Sequence, residues 1–145
     1  MGVVEPSSTA EWIAANPPPD AAFTQSVAGI ARRTLAGEDF RAAVRELLDE
    51  LSLLQTSAQC AGAIAEEPPP TGKAEQDAYL AGLAEHFAAQ AGIPRPEWTT
   101  DPKRFLDRFF FWSDTEGFRA IAIAQSPAAF RRRGVFITRQ ALERV

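Results

Sequence analysis

Four aromatic residues in an unbroken row, Phe109, Phe110, Phe111 and Trp112, constrain this chain more than any other stretch. Each ring brings about 150–250 Å² of surface, so the row carries on the order of 600–1,000 Å² that cannot all face water. It must be divided between a core and a contact surface. Nine of the fourteen aromatic residues lie between Trp98 and Phe136, which places the densest packing in the last third of the chain. The first two thirds read as its helical support.

That support is cut into pieces by proline and glycine. Ser8 to Glu11 has the capping-box form and opens a short helix to about Ala15, which Pro17, Pro18 and Pro19 terminate. Asp20 then caps a second helix with Phe23, Val27, Ile30 and Leu35 as its stripe and Gly37 as its stop. A third, longer helix begins near Glu38 and places Phe40, Val44, Leu47, Leu48, Leu51 and Leu54 on one face. Residues 55–62 turn small and polar, and the spacing leaves open whether this helix runs on to Ile64 or breaks. Residues 66–72 form a linker stiffened by Pro68, Pro69 and Pro70. Thr71 is the expected cap of the next helix, which shows Tyr79, Leu80, Leu83 and Phe87 on one face and stops at Gly92.

From Ile93 the pattern shortens. Pro94 and Pro96 impose an extended stretch, and Pro102 marks a short helix to about Arg108. Ser113 or Asp114 caps a helix through Gln125, with Phe118, Ile121 and either Ala122 or Gln125 turned inward. Ser126 followed by Pro127 repeats the cap-then-proline pattern ahead of a turn or two over residues 128–133. Residues 135–137 read as a strand or an extended segment, and Thr138 caps a terminal helix to Arg144. The expected architecture is all-α: a single-domain helical bundle over residues 1–145 of about six or seven helices. An N-terminal helix and proline-rich segment (1–19) precede helical support (20–92). The aromatic and basic C-terminal region (93–145) is irregular and carries at most one very short strand.

A chain of 145 residues with 46% hydrophobic content builds a core without staples, and the single cysteine, Cys60, excludes an internal disulfide. No stretch reaches the roughly 18 apolar residues that span a bilayer, and the N-terminus has no leader pattern. A cytoplasmic location without membrane contact is expected. The net charge of −4 conceals a division: residues 1–92 carry −8 and residues 93–145 carry +4. Either the two parts pair internally or a basic face meets an acidic partner.

Ser126–Ile137 (SPAAFRRRGVFI) is the most specific wording in the chain. Together with PEW at 96–98, DPKRFLD at 101–107, RELLDE at 45–50 and EEPPP at 66–70, it resembles a group of small actinobacterial proteins encoded beside nucleotidyltransferase-like toxins. The resemblance covers residues 38–145 and implies an antitoxin-like protein partner. That group supplies no catalytic residues to carry over. Some similar proteins add an N-terminal helix-turn-helix, but the glycine-containing turn that would mark one is not evident before residue 38.

The residues themselves assemble no catalytic, cofactor-binding or metal-binding set. His86 and Cys60 stand alone, neighbouring carboxylates on a helix point about 100° apart, and no glycine-rich phosphate loop is present. Asp101 and Asp114 read as caps, and Asp107 as a local partner of Arg104 or Arg108. Arg131, Arg132 and Arg133 are the sharpest basic feature. Three guanidiniums can grip a phosphate or a carboxylate, or pair with the acidic helices. The sequence pI near 5.0 weighs against a dedicated nucleic-acid binder. The favoured expectation is a non-enzymatic protein-binding module, contacting a toxin encoded nearby through Phe109, Phe110, Phe111, Trp112, Arg131, Arg132 and Arg133. A nucleic-acid accessory protein and a small enzyme are the alternatives, and the oligomeric state stays open.

Overall fold

Short side-chain caps decide where the helices of this chain begin. In the computed structural model, which describes Thr9 and residues 25–53, 56–113 and 116–142, Ser26 accepts the Gly29 amide at 2.9 Å and starts α1, Val27–Leu35. Asp39 accepts the Ala42 amide at 2.9 Å and starts α2, Phe40–Leu53. Thr56 and Gln59 form a reciprocal capping box at the head of α3, Ser57–Ile64. The open question at residues 55–62 is thereby answered: a new helix begins. The sequence readings over Ser8–Phe23 lie outside the described residues, apart from Thr9, which is buried and donates its hydroxyl to the Pro94 carbonyl.

In α2 the expected stripe is the buried face: Phe40, Val44, Leu47, Leu48 and Leu51, joined by Ala43. Arg33 ties α1 to α2 through Glu38 at 3.0 Å and Glu46 at 2.8 Å. Leu35 departs from expectation and is exposed. Five residues carry it about 140° around the helix from Ile30, and Ala31 occupies the buried face instead.

The central element is α4, Ala74–Ala91, which ends at Gly92 in the left-handed region at φ 69°. Every residue from Ala78 to Glu85 is buried, so the one-sided face expected from Tyr79, Leu80, Leu83 and Phe87 gives way to a middle stretch enclosed on all sides. Alanines and Gly82 let neighbours approach closely. A Cβ at Gly82 would stand 2.7 Å from Cδ1 of Phe130, so only glycine admits that ring. Thr71 is not the cap: that position is Lys73, while Thr71 bonds Asp77 Oδ1 through both its amide and hydroxyl at 2.9 Å.

Around α4 the C-terminal region winds in small pieces. Two 3₁₀ turns, Glu97–Thr100 and Pro102–Arg104, replace the helix expected to Arg108. Asp101 caps the second by accepting the Lys103 amide. Then come β1 (Phe110–Phe111), α5 (Glu116–Gln125), α6 (Ala128–Arg131) and β2 (Val135–Phe136). The strands pair in parallel, Phe110 opposite Val135 and Phe111 opposite Phe136, with α5 and α6 as the crossover that parallel pairing requires.

Ser126 does not cap α6, whose preceding residue is Pro127; its buried hydroxyl accepts the Ile137 amide at 2.8 Å and tethers the end of β2. Where a terminal helix was expected, a 3₁₀ turn at Gln140–Leu142 follows Thr138, which accepts the Ala141 amide. Among the described residues the chain is therefore all-α, six α-helices with one pair of two-residue strands. A single buried cluster draws on α1 to α4, Phe130 of α6 and Val135 of β2.

Candidate functional site

The aromatic row is split by strand geometry. Successive side chains of an extended segment point to opposite sides, and the row alternates accordingly. Phe110 and Trp112 pack against the core. Trp112 stacks on Tyr79 with centroids 4.4 Å apart, and the Arg41 guanidinium covers it at 4.0 Å. Phe109 and Phe111 both lie against Phe136, edge-on and stacked respectively, each at 5.1 Å. Phe109 remains 75% exposed, and Phe111 is half-buried. Of the four expected contact residues, two are therefore outward and two serve the core.

Beside this outward pair runs α5, whose described side chains are mostly exposed. From Arg119 to Gln125 only Ala122 is buried. Ile121, expected to face inward, is 44% exposed, and Ile123 is 53% exposed. Arg119 stands 5.3 Å over the Phe111 ring and joins the helix to the aromatic edge, and Arg131 donates to the Ile123 carbonyl at 3.1 Å and joins it to α6. Exposed apolar side chains and two exposed arginines, Arg119 and Arg131, thus share this part of the chain.

The three consecutive arginines divide: Arg131 goes one way, and Arg132 and Arg133 converge on Glu85. Arg131 turns to α5, Arg132 turns to Glu85, and Arg133 turns inward with 1% of its surface exposed. The expectation of a partner contact at Arg133 is corrected by this burial. Its guanidinium donates to Glu85 Oε2, to the Ala129 carbonyl and to the Thr99 carbonyl, the latter two at 2.6 Å, and it lies 4.8 Å over the Phe105 ring. Burial, with Arg132, Arg95 and Arg104 nearby, pushes its pKa down to about 10.

Glu85 is the residue that sequence reasoning missed. Its signal was a carboxylate on the alanine stripe of α4, in line with Ala78, Ala81 and Ala88, all buried. Arg104, one of the two arginines expected beside Asp107, instead approaches Glu67 at 3.7 Å and donates to the carbonyls of Pro68 and Asp77. His86 packs edge-on against Phe87 and tilted against Phe130, and burial pushes its pKa down. Cys60 is buried, faces the Phe87 carbonyl at 3.8 Å, and has its thiol pushed up to about 11. Among the described residues no group of histidine, cysteine and carboxylate side chains is placed to hold a metal ion, and no helix is long and apolar enough to cross a membrane. Comparison of the chain with protein-family models, curated proteins and solved structures finds no match.

Proposed function

We propose that this chain is a non-enzymatic protein-binding module whose docking face consists of Phe109, Phe111 and α5, rimmed by Arg119 and Arg131. The observation that carries the reading is the exposure of Ile121 and Ile123 on a helix that buries only Ala122 between Arg119 and Gln125. Covering a large apolar side chain is worth about 1.5–3 kcal/mol, and three of them, Phe109, Ile121 and Ile123, stay exposed in this part of the chain. The basic rim selects a partner with an acidic surface. The resemblance over residues 38–145 adds the narrower role, the antitoxin-like partner of a nucleotidyltransferase-type toxin. With Arg133 in the core and Arg132 paired to Glu85, the three neighbouring arginines make a poor continuous track for nucleic acid, which favours the protein reading over that alternative.

The test is co-expression of the tagged chain with the product of the adjacent gene. A defined complex that the F109S/I123S variant loses while remaining folded is the expected result. Two proteins that elute separately, or a complex indifferent to those substitutions, overturn the reading.

A further inference from the structure

The charge around Glu85 does not balance. Its carboxylate receives three guanidiniums: Arg95 at 3.0 Å and Arg132 on Oε1, and Arg133 on Oε2. One negative charge therefore serves three positive ones. Arg104 is close enough to add to the repulsion on Arg133. The inner member of the cluster is committed to the fold through the Ala129 and Thr99 carbonyls. The outer two are not, because Arg95 and Arg132 keep 49% and 50% of their side-chain surface exposed.

We propose that Arg95 and Arg132 form a binding site for a dianionic phosphoryl group. Both reach the same carboxylate oxygen, which brings their guanidiniums together at one point on the surface. Each is hydrogen-bonded to that oxygen through a single nitrogen, so the remaining N–H groups of two planar forks are directed elsewhere. Two guanidiniums gathered at one point can share a tetrahedral anion with three or more acceptor oxygens. The charge agrees as well: three guanidiniums less one carboxylate leave an excess of two. Glu85 holds the forks in place from beneath, itself anchored on the buried stretch of α4. This site is separate from the α5 face, since Arg131 and Arg132 turn away from each other to Ile123 and Glu85.

The experiment is a calorimetric titration of the full chain with inorganic phosphate and with adenosine monophosphate, against chloride at matched ionic strength. Saturable binding is expected, weakened at least tenfold in R95Q/R132Q and unchanged in R108Q/R139Q. Equal affinity for the two probes assigns the site to a free phosphoryl group, and a tighter nucleotide assigns it to a nucleoside phosphate. Should the double variant fail to fold, R95Q alone must weaken binding in the same sense. No saturable binding in the native chain, or binding retained when the arginines are replaced, overturns the proposal.

Discussion

Arg133 reaches Glu85 across 48 residues of chain and closes a buried ion pair between the turn after α6 and the middle of α4. The pair is the polar counterpart of the contact one turn earlier, where Phe130 seats on Gly82. Together they dock the irregular C-terminal pieces onto the central helix. Residues first read as a basic patch thus divide into an internal lock and a surface remainder.

Breaking that lock should be costly. Removing one member of a buried pair leaves an uncompensated charge, a loss of about 3–5 kcal/mol. Urea unfolding of E85A should show it, while R132Q, which removes a half-exposed partner, should cost under about 1 kcal/mol. Similar losses for the two variants would show that burial of Arg133 is not what the pair sustains.

Gly82→Ala tests the seat of Phe130. Alanine is the better helix former by about 1 kcal/mol, yet its Cβ would stand 2.7 Å from the ring. Overpacking of this kind costs about 1–3 kcal/mol, so the variant should melt lower than the native chain. F130L should restore part of the loss in the double variant, a coupling that thermal unfolding of all four proteins measures directly.

His86 predicts the direction of a pH dependence. Burial lowers its pKa in the folded chain, so the unfolded chain binds the proton first. Its contribution is intact above the unfolded value near about 6.5 and is lost as pH falls below it toward the folded value. The Tm should drop between about pH 7.5 and about pH 5.5, and less steeply in H86Q. Equal slopes would remove His86 from the account.

Much of the helical half was legible because its signals are local. Phe40 to Leu51 form a stripe that any helix of that register must bury, and Gly92 stops a helix wherever it stands. What escaped depends on partners distant in the chain. The split of Phe109 to Trp112 follows from pairing of β1 with β2, which no spacing within the row reveals. Burial of Arg133 follows from Glu85, and a carboxylate inside an alanine stripe reads as a solvated charge until the helix is known to be enclosed. Ile121 was assigned inward on the premise that an apolar helix buries a face within its own chain; α5 buries little more than Ala122 between Arg119 and Gln125.

Cys60 should be chemically quiet. With its thiol pushed up to about 11, the native chain at about pH 8 should react with a thiol reagent about 100-fold or more slowly than the unfolded chain. Comparable rates would place the sulfur at the surface.

The most direct test of the docking face is hydrogen exchange over residues 109–125, followed with and without the product of the adjacent gene. The slight burial of residues 119–125 predicts fast exchange there in the chain alone and strong protection in the complex, centred on Ile121 and Ile123. Protection elsewhere, with these amides exchanging as before, would contradict the assignment of this face to a protein partner.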